Sequence, residues 1–241
     1  MRTLSETDLL NLWEEGQARH PIDRALLLCA WARPDIAADR FACLPLGVVN
    51  AGLLKMRTAL FGRRVELQVA CEHCGELLEI PLDLAELAAD TGTGTGAGEQ
   101  ETGAEIEVEG FRFRLPASRD LAAITYELDT EAAARRLLDA CCVSRPDGNT
   151  ATADVLAQAE ERLEAADPLA DPRLDVACPA CGQHMEAALD PGTLLWDDMQ
   201  AYARSLLGQV HALARAYGWT EREVLSLSPR RRAAYLEMTG G

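Results

Sequence analysis

VACEHCGELLEIPLD (residues 69–83) and VACPACGQHMEAALD (residues 176–190) are two copies of one pattern, 107 positions apart. Val69/Val176, Ala70/Ala177, Cys71/Cys178, Cys74/Cys181, Gly75/Gly182, Glu79/Glu186, Leu82/Leu189 and Asp83/Asp190 are identical, eight matches in fifteen positions, which marks an internal repeat. Two thiolates three residues apart can face one ion if the chain turns tightly between them. The glycine after the second cysteine tolerates positive φ and lets backbone amides point at the sulfurs. One such knuckle supplies two ligands, and a closed structural zinc site needs four. Cys71, Cys74, Cys178 and Cys181 are therefore expected to share one tetrahedral Zn2+. The residues leave other arrangements open: a thioredoxin-like redox pair, two separate sites completed by His73 and His184, iron on the same four sulfurs, or simply buried thiols.

Outward from the knuckles, residues 65–69 and 174–177 alternate like approach strands, and 78–82 reads as a returning strand. Residues 105–115 alternate around Gly110, which predicts a hairpin or bulge. The remainder has helical periodicity: 6–13 with Ser5 as cap, Pro21–Ala32 with proline at a tolerated first position, 48–61, 132–142, 152–166 with Thr152 as cap, 193–217, 220–225 and 229–238. The expected class is α+β, mostly helical, with a small β/zinc-knuckle module in which two CxxCG hooks form one four-cysteine site. Its segments are a helical N-terminal part (1–64), a first knuckle (65–90), a flexible small-residue loop (91–105), a hairpin and helical middle (106–173), a second knuckle (174–190) and a helical C-terminal part (191–241).

Composition narrows the function classes. The 241 residues are 48% apolar, enough for a real core, and carry a net charge of −16. Residues 65–110 hold twelve acidic side chains and no Lys or Arg. Such a chain is not built to neutralise phosphates or to bind an anionic membrane, so protein partners are favoured over nucleic acid, with no membrane insertion expected. The acidic, amphipathic start lacks the form of a secretory signal. Eight cysteines, four of them in CxxC pairs, suit a reducing, cytoplasmic setting with a metal site.

Catalytic constellations are sparse. The four histidines lie outside any HExxH, Ser144 and Ser205 lack a nucleophile-elbow context, and TGTGTGAGEQETGAE (91–105) lacks the Lys–Ser/Thr pair of a phosphate loop. Asp197–Asp198 reads as a solvated first helical turn. Cys29, Cys43 and Cys141–Cys142 read as small core hydrophobes, and His211 as a packing or contact residue. No enzymatic role is expected. In the tail, Gly218 breaks one helix, and Thr220 with Glu223 forms a capping box for the next. Trp219, Arg230, Arg231, Arg232 and Tyr235 then make a candidate partner-binding surface, since Trp, Tyr and Arg are favoured interface anchors. The same arginines in a helix–turn–helix context leave a nucleic-acid-binding regulator as a rival.

The segments HPIDRALLLCAWARP (20–34), LPLGVVNAGLLKMRTALFGRRVELQVACEHCG (44–75), FRFRLPASRDL (111–121), LDVACPACGQHMEAALDPGTLLWDDM (174–199) and VHALARAYGWTEREVLSLSPRRRAAYLEM (210–238) resemble the baseplate proteins of contractile phage tails and phage-like contractile injection systems. The likeness covers most of the chain except residues 91–105, and its closing stretch is the most specific part. The resemblance implies a zinc-containing structural or assembly component, with Cys71, Cys74, Cys178 and Cys181 as ligands. It implies other baseplate, tube, sheath or spike proteins as partners, assembly into or with a tail-like particle, and the YGW…RRRAAYL stretch as the signature surface. A zinc-stapled adaptor of another complex and a metalloenzyme are the alternative classes.

Overall fold

The computed structural model describes residues 4–85, 87, 104–148 and 150–239. Most of the expected loop, residues 91–103, lies outside the described residues. The chain is α+β and mostly helical, with small antiparallel sheets.

Helices α1 (Glu6–Gly16), α2 (Pro21–Ala32), α3 (Ala38–Phe41) and α4 (Leu46–Phe61) come first. A hairpin follows, β1 (Arg64–Ala70) and β2 (Leu77–Asp83). The middle contains β3 (Glu105–Val108), β4 (Phe111–Arg114), α5 (Ser118–Ile124), α6 (Thr130–Cys141), β5 (Cys142–Ser144) and α7 (Ala153–Ala166). The second knuckle hairpin, β6 (Arg173–Ala177) and β7 (His184–Ala188), leads directly into the long helix α8 (Pro191–Tyr217), and α9 (Glu221–Ser226) and α10 (Pro229–Thr239) finish the chain. Every expected helix and strand is present, with ends displaced by up to three residues; the first helix runs past Trp13 to Gly16. The third strand β5 was not expected. It pairs with β4 directly after α6, where Cys142 leaves the helix for extended backbone.

Local chemistry explains most boundaries. Ser5 and Asp8 close a capping box on α1, and Asp190 accepts the amides of Gly192 and Thr193 at the start of α8. The hairpin at Gly110 has positive φ at both central residues, 49° at Glu109 and 83° at Gly110, the sign that matches the twist of the flanking strands. Helix α4 has no capping side chain of its own at Pro45. The Asp167 carboxylate, 120 residues away, supplies it by accepting the Gly47 N–H at 2.9 Å, and Asn50 Nδ2 donates to the Leu169 carbonyl at 2.7 Å. A Cβ on Gly47 would overlap that carboxylate, so only glycine admits the cap.

Two main cores form. One packs Leu9, Leu12, Leu28, Leu53 and Met56 of α1, α2 and α4 against Leu195, Trp196, Met199, Ala203 and Leu206 of α8. That helical stripe is buried along one side of α8, whose 27 residues span roughly 40 Å. The other joins Phe111 and Phe113 of β4 to Leu138 of α6 and to Val155, Ala159 and Leu163 of α7. Arg114 clamps Asp120 with two bonds (2.6 and 2.7 Å) at the foot of this second core. A smaller cluster of Leu54, Val65, Leu84 and Leu169 lies between the first core and the first knuckle. The cysteines outside the CxxC pairs divide. Cys29 and Cys141 are buried as expected, but Cys43 is exposed, its sulfur accepting from Arg119 Nη1 at 3.3 Å. It sits on the turn after α3, where Phe41 and Leu44 already fill the inward positions.

Candidate metal centre

The two CxxCG segments are built alike, and the 107-residue shift maps one hairpin onto the other bond by bond. Ala70 faces Leu77 and Val69 faces Leu78 in the first; Ala177 faces His184 and Val176 faces Met185 in the second. At the turns, Cys71 N–H donates to Glu76 O (2.8 Å) and Gly75 N–H to Cys71 O (2.8 Å). Cys178 N–H donates to Gln183 O (2.9 Å) and Gly182 N–H to Cys178 O (2.8 Å). Gly75 and Gly182 have φ of 77° and 72°, the left-handed backbone that the sequence required of them.

The hairpins belong to separate sheets and meet tip to tip. Cys71 Sγ lies 3.8 Å from Cys181 Sγ, and Cys74 Sγ lies 3.7 Å from Cys178 Sγ. Under the 107-residue shift these are one contact seen twice, so the hairpins are related by a local two-fold. All four sulfurs lie within 4.8 Å of one another. Zinc–thiolate bonds of about 2.3 Å place the corners of a tetrahedron about 3.8 Å apart, which matches both cross-hairpin distances. A disulfide needs about 2.05 Å, and all four cysteines are free. Cys71 and Cys178 are buried against Leu78 and Met185, while Cys74 and Cys181 form the exposed rim. The four thiols can therefore hold a metal ion.

Backbone amides prepare the sulfurs for negative charge. The amides of Cys74 and His73 point at Cys71 and pull its thiol down to about 6. Glu76 N–H likewise favours the Cys74 thiolate, but desolvation and the neighbouring sulfurs outweigh it and push Cys74 up to about 12. In Cys181 the amide of Gln183 is similarly outweighed, chiefly by desolvation and Cys178, and its thiol is raised. The sulfurs thus compete for protons, and a divalent cation would remove that competition by taking all four as thiolates.

Among the described residues these four cysteines are the sole group of three or more candidate metal-ligating side chains, so the separate sites built on His73 and His184 are not formed. His184 instead lies on the exposed side of β7, 3.0 Å from Asp175. Nor does either CxxC open a helix as a thioredoxin-like pair does; each caps a β-turn between antiparallel strands. An ion held tetrahedrally by all four sulfurs would have no ligand position left for water or substrate.

A charged tie beside the knuckles escaped the sequence reading. Arg57 is buried; its Nε bonds Asp198 at 2.9 Å and its Nη1 bonds the carbonyls of Gly62 (2.6 Å) and Arg64 (2.7 Å). Asp198 is thus not merely solvated, since it joins α8 to the end of α4 and the start of β1. Nothing local marks this pair, whose members are 141 residues apart.

The candidate partner-binding residues separate into two groups. Trp219, Arg230, Arg231 and Tyr235 lie at the exposed or half-buried corner of α8, α9 and α10. Arg232 does not: it is 2% exposed, bonded through Nη1 and Nη2 to Glu6 at 2.7 and 2.5 Å and through Nε to Gln209 at 2.7 Å. Its inward position follows from helix geometry, because on α10 it falls on the side packed against α8 and α1. His211 is exposed.

No protein-family model matches the chain, and no curated protein or solved structure does either. Among the described residues no helix is long and apolar enough to cross a membrane, α8 included.

Proposed function

We propose that this chain is a structural or assembly subunit of the baseplate of a contractile injection system or phage tail, with Zn2+ on Cys71, Cys74, Cys178 and Cys181 acting as a staple rather than a catalyst. The observation that carries the mechanical part is the four-sulfur cluster: thiols from hairpins 107 residues apart converge with cross-hairpin spacings of 3.7 and 3.8 Å. Such an ion closes a loop of roughly 100 residues, and a structural zinc site contributes its binding free energy to folding, on the order of 10 kcal/mol. The exposed rim and the lack of an open ligand position suit a mechanical joint. Zinc is favoured over iron because the site has a structural, non-redox character.

The baseplate part of the reading rests on the resemblance of the five segments quoted above, and it makes other baseplate, tube, sheath or spike proteins the partners. Affinity purification of the full-length chain from the cells that make it, followed by identification of what travels with it, tests this. Sheath, tube or wedge proteins in the eluate support it. A metal-loaded chain whose stable companions belong to an unrelated complex refutes the baseplate assignment and leaves an adaptor. Metal content by mass spectrometry and the visible absorbance of an iron–thiolate centre separate zinc from iron.

A further inference from the structure

We propose that the corner formed by the end of α8, the turn after it and α10 is the docking surface for an acidic segment of a partner protein. This rests on the reading that the chain works through protein contacts, and it names the chemistry of the partner.

Three rings make the platform. Tyr217 and Trp219 stack with centroids 4.7 Å apart, Tyr235 stands edge-on to Trp219 at 4.9 Å, and Tyr217 and Tyr235 meet at 5.7 Å. Tyr217 remains 40% exposed. On α10, Arg231, Tyr235 and Met238 follow the i, i+4, i+7 spacing of a single helix face, and Met238 is 70% exposed. The buried Arg232 clasp fixes the rotation of α10, so Arg230 and Arg231 are held outward rather than free to fold in. Arg215, Arg230 and Arg231 have no carboxylate partner among the described residues.

The charge of this corner is opposite to that of the chain. Residues 204–239 hold six arginines, of which the buried Arg232 is neutralised by Glu6, so five face three acidic side chains, Glu221, Glu223 and Glu237, in a protein of net charge −16. Aromatic residues, Met and Arg are the composition that protein interfaces favour, and a platform already ordered by its own contacts loses little entropy on binding. Exposed unpaired arginines around an apolar platform select carboxylates placed around an apolar side chain. A nucleic acid fits less well: the three rings pack on one another rather than standing apart as a row of platforms for successive bases.

The test replaces Met238 with a photo-crosslinking amino acid in the full-length, metal-loaded chain, in the cells that make it, with the same probe at exposed Glu161 on α7 as control. The expected adduct at position 238 is a protein segment of net negative charge. Its yield should fall about tenfold in the Arg230→Glu, Arg231→Glu variant. Metal content and melting temperature should stay unchanged in that variant, because both side chains are exposed and unpaired. Reversing the carboxylates of the captured segment to lysine should restore the adduct. Adducts with nucleic acid, adducts with a neutral or basic segment, equal yield at Glu161, or indifference to the double charge reversal would each overturn the proposal. An acidic partner from outside any contractile particle would refute the baseplate assignment while supporting this surface; co-purification with sheath and tube but no adduct at 238 would do the reverse.

Discussion

Replacing Arg232 with methionine removes the buried guanidinium while keeping most of its volume. Arg232 is 2% exposed, and its ion-pair partner Glu6 is 20% exposed at the side chain. Breaking a buried ion pair by deleting one partner costs roughly 3–5 kcal/mol, because the other charge is left behind. Glu6 keeps the Tyr202 hydroxyl, which donates to it at 2.9 Å, and some access to water, so the lower end applies, about 3 kcal/mol. For a chain of this size that corresponds to a fall in melting temperature of roughly 6–12 °C. Urea unfolding at fixed metal concentration measures it, and the cycle with Glu6→Gln isolates the pair. A pH signature accompanies the loss. The Arg232 bond holds the Glu6 carboxyl below its ordinary value against the opposing effect of burial. A depressed carboxylate contributes stability above its unfolded pKa, about 4.3, and loses it as pH falls through the folded value, so the variant should show a shallower decline in acid. A variant within about 0.5 kcal/mol of the parent, or a cycle with no coupling, would refute the idea that this clasp ties the two ends of the chain together.

Other expectations are simpler to state. Gly47→Ala forces the Asp167 carboxylate off the start of α4 and should destabilise by about 1–3 kcal/mol in a urea melt. Burial pushes the Asp167 carboxyl up despite its bond from Gly47. In the native protein this group therefore adds stability as pH falls through its folded pKa, and Asp167→Asn, whose carbonyl keeps the bond, should abolish that increment and be no less stable at neutral pH. Melts across acid and neutral pH measure both; a large loss at neutral pH would contradict the cause given. Cys178→Ser, at a buried sulfur, should lower melting temperature more than Cys74→Ser at the exposed rim, with metal content reduced in both. Equal, unimpaired melting in the two variants would mean that the sulfurs do not hold the fold.

The four-cysteine cluster was legible in the sequence because its information is local and doubled. CxxCG needs a tight turn, glycine needs positive φ, and the second copy completes the ligand count. Helices with caps in their own first turns, such as α1, α7 and α9, were legible for the same reason. What escaped depends on residues distant in sequence. Asp167 caps α4 from 120 positions away, Arg57 and Asp198 meet across 141, and Arg232 and Glu6 across 226. Arg232 is the instructive case: three consecutive arginines read alike, yet a helix turns each by about 100°, so packing α10 against α8 buries one and exposes its neighbours. Met238 was missed for want of that same rotation, although the 231/235/238 spacing was already present, and Tyr217 entered only as part of the YGW signature stretch. Cys43 and β5 failed for a different reason: a cysteine or a three-residue strand next to a helix carries too little pattern to reveal its burial or its pairing.

The central claim is that four sulfurs from distant parts of one chain hold a single ion. X-ray absorption on freshly purified, reduced protein, with metal content measured on the same sample, tests it most directly. The expected result is one equivalent of zinc per chain, surrounded by four sulfurs at about 2.3 Å and no lighter atoms. Well under one equivalent in folded protein, or a shell containing nitrogen or oxygen, would contradict it.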